Sequence, residues 1–277
     1  IFLMKILTFD IEDWFHILDH QTTGDIAKWP NFPSRIDAGV DRILLMLDDH
    51  SAKATFFCLG WVGERYPHVL RRIANAGHHI GSHSFAHQLV YQQSVSEFKK
   101  DLKRSVDTLQ QIVGVKVNSY RAPGFSITKD SAWALECLVE QGIEIDCSIF
   151  AARRGHGGFP EIENATQPFL LNVESGELKC FPMNTIKAFG RNFVFSGGGY
   201  FRLLPYVASY WAFGSSDYVM TYFHPRDFDP EQPRLYDLSY YRTFKSYVGL
   251  KVSESRLRKI ISAFSFQTVA NADSEID

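Results

Sequence analysis

Two histidines four residues apart, His83 and His87, are the strongest chemical signal in the sequence. They lie in the stretch HHIGSHSFAHQ, residues 78 to 88, which holds four of the chain's 10 histidines. This spacing lets two imidazoles converge on one point, so a carboxylate from elsewhere would complete three ligands and leave an open position on a divalent ion. Such an ion lowers the pKa of water from about 15.7 to near 7. The sequence therefore predicts a metal-assisted hydrolytic site, with structural roles for His78 and His79.

Other polar residues are suited to the acid and base that hydrolysis requires, each of which typically contributes about 10² to 10⁴ in rate. Asp10 is the predicted base, and Arg121 would hold it ionised by pairing with it. His224 is the predicted acid, and Asp146 is the carboxylate expected to keep it protonated and oriented. Gly124 has no Cβ, so its backbone N–H could meet a developing oxyanion.

Alternating strand-like and helix-like segments would position these residues. Strand followed by helix recurs five times, which implies parallel strands with right-handed crossovers. The longest predicted helix, residues 94–114, opens with a capping box of Ser94 and Glu97 and is followed by a glycine. A late strand within 217–229 and a helix over 253–264 resume the rhythm. The predicted early strands cover residues 5–9, 53–59, 78–84, 115–124 and 143–150.

The chemically active residues follow the predicted strands at their carboxyl ends. Active sites of parallel α/β proteins gather at this edge, both in barrels and in open doubly wound sheets. Residues 151–200 break the pattern and are predicted to form a loop-rich insertion with a small hairpin. The residues expected to share the edge are Asp10, Glu12, Asp13, His83, His87, Arg121, Asp146, Ser148, His224, Arg226 and Asp227.

Composition narrows the class of protein. A chain of 277 residues can bury roughly 75% of its unfolded surface without disulfides or metals as staples. The net charge of −2 argues against a nucleic-acid or anionic-membrane partner. The four cysteines form no C-x-x-C pair and lie in apolar stretches, which indicates reduced, buried thiols. We expect no membrane span and, because no signal peptide is visible, a cytoplasmic location.

Five segments, in this order, resemble the motifs of the polysaccharide deacetylases, the NodB-homology group or carbohydrate esterase family four: TFDIED, SHSFAH, YRAPGF, IDCSI and YFHPRDFD. The match runs from residue 5 to about 230, and the tail is similar to an extension in a subgroup near exopolysaccharide and cell-surface glycan loci. The resemblance implies an α/β fold, a distorted (β/α) barrel of the NodB-homology type. It implies one catalytic domain over 1–277, with the insertion at about 151–200 and a C-terminal extension at about 230–277.

The resemblance also implies roles for single residues. Members of the family remove N- or O-acetyl groups from amino sugars with a divalent metal, commonly zinc or cobalt. By their motif positions, His83 and His87 match the metal histidines. The remaining matches are Asp10 as base, Arg121 orienting the base, Gly124 as oxyanion donor, Asp146 as partner of the catalytic histidine and His224 as that histidine.

One departure from the family pattern concerns the metal. The usual first motif is T-F-D-D-G, whose second Asp binds the ion, and Ile11 occupies that place here. The third ligand must then be Glu12 or Asp13. Glu12 lies two residues after Asp10, so on an extended chain both point the same way, which favours Glu12 and keeps Asp13 as the alternative.

The sequence thus predicts a metal-dependent hydrolase, with zinc as the expected ion, that removes acetyl groups from an N-acetylated sugar, glycan or glycan precursor. One alternative is hydrolysis of another C–N bond, as in the allantoinase-like relatives. Another is a non-catalytic glycan-binding barrel. An inverting glycosidase using Asp10 and a second carboxylate would need no histidine pair. A carbohydrate substrate is expected, and some of the aromatic residues, 14% of the chain, could line its groove; the oligomeric state is left open.

Overall fold

The computed structural model describes residues 3–151, 156–159, 162, 165–188 and 191–276. These residues form an α/β fold in which short, buried strands alternate with helices. The strands are β1 Met4–Ile6, β2 Thr8–Ile11, β3 Thr55–Cys58, β4 His79–Ser82, β5 Ser119–Tyr120, β6 Ile145–Asp146, β7 Phe169–Val173, β8 Gly176–Cys180, β9 Ile186–Ala188, β10 Arg191–Phe193 and β11 Tyr218–Met220.

The helices cover the sheet with apolar faces, as their sequence periodicity predicts. Helix α4 shows the local rules most clearly, because Ser94 and Glu97 form the predicted capping box and Gly114 ends the helix with a φ of 73°. The helices are α1 Ile36–Asp48, α2 Gly60–Arg65, α3 Pro67–Asn75, α4 Val95–Val113, α5 Trp133–Glu140, α6 Gly198–Leu203, α7 Tyr206–Ser215, α8 Tyr240–Tyr247, α9 Leu250–Ala263 and α10 Val269–Asp273.

The main sheet has the strand order β2-β3-β4-β5-β6-β8-β7, and all neighbours are parallel except the last pair. The predicted strand 5–9 is wrong as a single element. It divides at Leu7 into β1, which pairs with β11, and β2, which pairs with β3. Phe9 of β2 also bridges to Phe223, so the late strand closes against the first one. The expected α/β architecture, a mostly parallel sheet that the late strand joins at its first strand, is confirmed.

The segment 151–200 contributes to the sheet more than the sequence predicted. Strands β7 and β8 form an antiparallel hairpin, and β8 pairs in parallel with β6, so the hairpin extends the main sheet instead of standing apart from it. A second hairpin joins β9 and β10. Residues 152–155, 160–161, 163–164 and 189–190 of the predicted insertion lie outside the described residues. The division into one domain with an insertion and an extension stays a prediction.

The interior is apolar and rich in aromatic side chains. One large cluster packs β2, β3 and β4 against α1, α3 and α4. All four cysteines are buried and free, as expected. In the described part of the chain, no helix combines the length and the apolar character needed to cross a membrane.

Candidate active site

A cavity of about 890 Å³ opens at the carboxyl ends of the strands. Its wall carries Asp10 and Glu12 from the end of β2, His83 and His87 from the loop after β4, and His224 after β11. Parallel strands place these residues at one edge although they are up to 214 positions apart in the chain (224 − 10). Polar residues therefore gather at this edge of the sheet, as the sequence predicts.

Glu12 lies between the two predicted metal histidines. Its Oε1 atom is 3.0 Å from His83 Nε2 and 3.0 Å from His87 Nε2. The three side chains are buried, and their ligand atoms lie within 4.8 Å of one another. Burial alone would raise the pKa of Glu12, but the nearby His87, His224 and His83 outweigh it and hold that pKa well below its usual range.

The donor set fits a divalent cation. His83 Nδ1 lies 2.8 Å from the Arg121 carbonyl oxygen, to which only a protonated Nδ1 can donate. A metal ligand must be a neutral imidazole, and in that form Nε2 would present a lone pair toward the Glu12 carboxylate, so that a cation between them would satisfy both acceptors. Two imidazole nitrogens and one carboxylate are the ligands of open catalytic zinc sites.

The loop that presents His87 is held in a strained conformation. Ser84 and His87 have φ values of 68° and 53°, in the left-handed region that costs a non-glycine residue about 1–3 kcal/mol. Ser84 Oγ accepts the His87 backbone N–H at 3.0 Å. Asp101 of α4 accepts the backbone N–H groups of Phe85 and Ala86 at 2.8 and 2.9 Å. These bonds from a helix and from the loop itself fix the ring of His87 toward Glu12.

Asp10 is paired with Arg121, as predicted. Arg121 Nη1 donates to Asp10 Oδ1 at 2.7 Å and to Thr8 Oγ1 at 2.7 Å. The guanidinium is fully buried and stacks over the Phe57 ring, 4.3 Å from its centroid. This ion pair fixes one oxygen of Asp10, and the second oxygen lies 3.9 Å from His224 Nε2.

The partner of His224 is Asp227, and the prediction of Asp146 is wrong. Asp227 Oδ2 lies 3.0 Å from His224 Nδ1 and accepts the His224 backbone N–H at 2.9 Å. Residues 225–228 form a single 3-10 turn with His224 as its N-cap, and this turn returns the side chain of Asp227 to His224. Among the described residues no hydrogen bond or ion pair joins Asp146 to His224; Asp146 accepts from the Ser148 N–H instead.

The pKa values of His224, Asp227 and Asp146 are all shifted by their surroundings. Burial alone would lower the pKa of His224, but the negative charges of Glu12, Asp227 and Asp10 raise it to about 9. Burial would raise the pKa of Asp227, but the Arg202 guanidinium and His224 lower it to about 2. For Asp146, burial prevails over its hydrogen bonds and raises the pKa to about 6.

Asp13 lies outside the ligand cluster, and its candidacy as a ligand is corrected. The chain turns just after Glu12, and the Asp13 carboxylate accepts the Trp14 N–H at 2.8 Å and the Arg35 N–H at 2.9 Å. The Asp13 carboxylate thus stabilises the position of the segment before α1. Gly124 lines the cavity with a φ of 60°, and a Cβ there would lie 2.8 Å from Leu18 Cδ1. The positive φ and the close approach of Leu18 both favour glycine at this point of the wall.

Sequence reasoning placed Asp227 at this edge without giving it a role, and it missed His16. The role of Asp227 could have been found from the H-P-R-D spacing, which resembles a capping box. His16 also lines the cavity and is 1% exposed. Its Nδ1 accepts the Asp13 N–H at 2.9 Å, so Nε2 carries the proton, and no described residue accepts a hydrogen bond from it. No sequence signal marks His16.

Two family models match the chain. Residues 20–140 match the model described as "Polysaccharide deacetylase", and residues 147–273 match one described as "Domain of unknown function (DUF3473)". The first match includes His83, His87, Arg121 and Gly124 but ends before His224.

Characterised relatives match parts of the chain. A peptidoglycan-N-acetylglucosamine deacetylase of Bacillus cereus is 33% identical over 96 residues, 34% of this chain and 35% of the relative. A chitooligosaccharide deacetylase of Azorhizobium caulinodans is 29% identical over 135 residues, 48% of this chain and 61% of the relative. The chain thus covers less than two thirds of the length of these relatives.

Solved structures share the fold at low sequence identity. A Mycobacterium smegmatis protein assigned to the polysaccharide deacetylases has a TM-score of 0.62 at 17% identity, covering 98% of this chain and 88% of its own. The Bc1960 peptidoglycan N-acetylglucosamine deacetylase has a TM-score of 0.51 at 18% identity, with coverages of 98% and 87%. A mutant of BA3943, described as a pseudoenzyme of carbohydrate esterase family four with restored activity, has a TM-score of 0.52 at 14% identity, with coverages of 98% and 67%.

Proposed function

Since the chain belongs to the NodB-type polysaccharide deacetylases, we propose that it is a metal-dependent deacetylase of an N-acetylated sugar, glycan or glycan precursor. The reaction adds water to the acetamide and yields acetate and a free amine. The observation that carries the proposal is the position of Asp10 and His224 beside the cluster of Glu12, His83 and His87 in one cavity. Base, acid and cation ligands then meet around one small space.

The proposed ion, zinc in the first instance, would be held by Glu12, His83 and His87. When bound, it lowers the pKa of water and polarises the acetyl carbonyl. Its affinity depends on the bond from His83 to the Arg121 carbonyl, because such outer bonds fix the tautomer and orientation of a ligating imidazole.

The remaining steps belong to side chains and backbone of this chain. Asp10 accepts the proton of the attacking water, and its ion pair with Arg121 orients the carboxylate for this step. His224, oriented by Asp227, donates a proton to the departing nitrogen. The Gly124 N–H is proposed to donate a hydrogen bond to the oxyanion that develops on the carbonyl.

The cavity wall supports a carbohydrate substrate. Tyr200, Tyr222 and Tyr241 line it together with two phenylalanines, Phe125 and Phe150. Aromatic faces offer apolar area to the C–H faces of sugar rings, and tyrosine adds a hydroxyl for hydrogen bonding. This lining supports the prediction that part of the aromatic content serves a sugar-binding groove.

The decisive experiment measures acetate release from N-acetylated oligosaccharides by the purified chain, before and after treatment with a chelator. We expect release to stop in chelator and to return when zinc or cobalt is added. His83→Ala and Asp10→Asn should remove activity, and Arg71→Gln, a substitution of an exposed residue on α3, should leave it unchanged. Equal acetate release with and without chelator would refute the metal-dependent proposal.

A non-catalytic role deserves a direct comparison, because one structural neighbour is described as a pseudoenzyme and the fold alone does not assign activity. A chain that binds zinc and glycans but releases no acetate would support this alternative. A panel of cyclic amides beside the acetylated sugars tests the other C–N hydrolysis predicted from sequence. Activity on cyclic amides alone would exchange the proposed substrate class for that one.

A further inference from the structure

Two arginines of the cavity wall have no acidic partner of their own. Among the described lining residues, the acidic side chains each have a partner already. Asp19 lies 2.9 Å from His156, and Asp227 contacts both His224 and Arg202. The other two carboxylates are those of the reaction centre, Asp10 with Arg121 and Glu12 with the histidine pair. None of them is paired with the remaining arginines of the wall, Arg226 and Arg242.

Arg226 lies next to the reaction centre. It occupies the turn that carries His224 and Asp227, and its side chain lines the cavity. In the part of the chain that the structure describes, no carboxylate lies within ion-pair distance of its guanidinium, and no group accepts a hydrogen bond from it. The charge of Asp227 reaches Arg226, but Asp227 is already paired with His224 and Arg202, so an anion on a ligand would stabilise the partly buried Arg226 guanidinium further.

Arg242 lies on α8, in the C-terminal part of the chain, and also lines the cavity. Its two terminal nitrogens donate to the carbonyl oxygens of Leu18 and Asp19 at 2.6 and 2.8 Å. These neutral acceptors fix the guanidinium at the cavity wall without cancelling its charge. No described carboxylate forms an ion pair with it. Its fixed position lowers the entropic cost of binding a ligand anion.

Helix α8 supplies further groups to the same wall. Tyr241, Lys245 and Ser246 of this helix line the cavity with Arg242. The Lys245 ammonium lies 5.0 Å from the centroid of the Tyr200 ring, which also lines the cavity. Arg202 holds the C-terminal end of α8 through bonds to the carbonyl oxygens of residues 245, 246 and 248. The wall built by α8 is therefore positively charged, aromatic and firmly positioned.

We propose that the cavity takes an anionic N-acetylated saccharide, and that Arg226 and Arg242 bind the carboxylate or phosphate group that the saccharide carries. The inference deepens the proposed deacetylase function and depends on it for the reaction. Arginine suits this role because its planar donors match both anions in two-point hydrogen bonds. The C-terminal region then decides which acetylated sugar is accepted, while the strand ends perform the hydrolysis.

The test compares two pairs of substrates in acetate release. The first pair is a disaccharide of N-acetylglucosamine and glucuronic acid and its carboxyl-reduced counterpart with glucose. The second pair is N-acetylglucosamine 1-phosphate and the neutral methyl glycoside. We expect kcat/KM to be at least about tenfold higher for the anionic member of one pair, since a charge-assisted hydrogen bond contributes enough for that ratio. The pair with the larger ratio identifies carboxylate or phosphate as the natural anion.

Four variants assign the ratio to the two arginines. Arg226→Gln and Arg242→Gln should each lower the ratio of anionic to neutral kcat/KM by about fivefold or more, and Arg226→Lys and Arg242→Lys should retain part of it. Arg71→Gln, the exposed control on α3, should leave the ratio as in the wild type. Two results would overturn the inference: a ratio near one for both pairs, or a ratio that both glutamine variants leave unchanged.

Calorimetric binding of the same four saccharides separates this inference from the proposed function. If no substrate releases acetate, the deacetylase proposal fails, and the binding data alone decide the question of charge. Tighter binding of an anionic saccharide that is lost in Arg226→Gln or Arg242→Gln would still support the anion site. Equal binding of anionic and neutral saccharides would refute it.

Discussion

Asp227→Asn should show whether the function of His224 depends on Asp227 or on another buried carboxylate of the site. The asparagine side chain has nearly the same shape but offers one acceptor oxygen without charge. Asp227 Oδ2 now serves both the His224 ring and its backbone N–H, at 3.0 and 2.9 Å. The substitution therefore leaves the imidazole without a charged partner and free to turn, while the fold around it keeps its volume.

The expected magnitude follows from the work that His224 performs. A general acid contributes about 10² to 10⁴ in rate, equivalent to roughly 2.7–5.4 kcal/mol in the activation barrier. We expect Asp227→Asn to lower kcat by at least about 100-fold with little change in KM, because Asp227 orients the acid and is not proposed to bind the sugar. Asp146→Asn, the matched control, should lower kcat less than about tenfold, because Asp146 makes no contact with His224.

The assay is steady-state acetate release at pH 7, accompanied by thermal unfolding of each variant. Asp227 also contacts Arg202, whose guanidinium keeps three carbonyl partners in the variant. Loss of this pair should cost about 1–3 kcal/mol of stability, which a folded chain of this size tolerates. The reasoning is refuted if a folded Asp227→Asn keeps more than about a tenth of wild-type kcat, or if Asp146→Asn is equally damaging.

Three further predictions concern the surroundings of the site. Asp101→Asn should loosen the strained loop of His87 and weaken zinc binding about tenfold, measured by competition with a chromogenic chelator; unchanged affinity would contradict the role given to that loop. Arg121→Met should destabilise the fold by about 3–5 kcal/mol in urea unfolding because it leaves Asp10 buried without a counter-charge, and a smaller loss than in Arg121→Lys would be evidence against this reasoning. Burial lowers the pKa of His79 to about 4, below its unfolded value, so the free energy of unfolding should fall as pH decreases from about 6.5 toward 4. His79→Gln should flatten this dependence in urea titrations at pH 7 and 5, and an equal slope in both proteins would exclude His79 as its source.

Much of the site could be predicted because strand ends constrain it. His83 and His87 have metal-ligand spacing after a strand, and Asp10 and Arg121 belong to β2 and the end of β5, whose carboxyl ends share one edge of the parallel sheet. Strands β3 and β4 lie between them, so the contact of Asp10 with Arg121 also requires the sheet to curve. The roles of these residues in catalysis stay proposals, as do zinc as the ion and a cytoplasmic location. Position along the chain alone indicated the edge of the sheet but not the contacts made there.

The errors arose where local turns override strand geometry. Alternation along β2 applies as far as Glu12, and the turn that follows directs Asp13 to the segment before α1, so spacing alone could not exclude it. Asp146 was a plausible partner for His224 by topology, but a 3-10 turn supplied Asp227 from three residues away. The sequence predicted a hairpin within 151–200 but not that β8 pairs with β6, because this pairing depends on contacts distant in sequence.

The pairing of the first strands with the last one makes the reaction centre dependent on almost the entire polypeptide. Thr8 and Thr221 exchange hydrogen bonds across 213 positions, close to the point where Asp10 meets His224. A fragment limited to residues 20–140 retains the two imidazole ligands but lacks Glu12, the base and the acid. Acetate release, which needs His224 beside the ion ligands, should therefore emerge late during refolding, once the first and last strands have paired, and would serve as a direct readout of complete assembly.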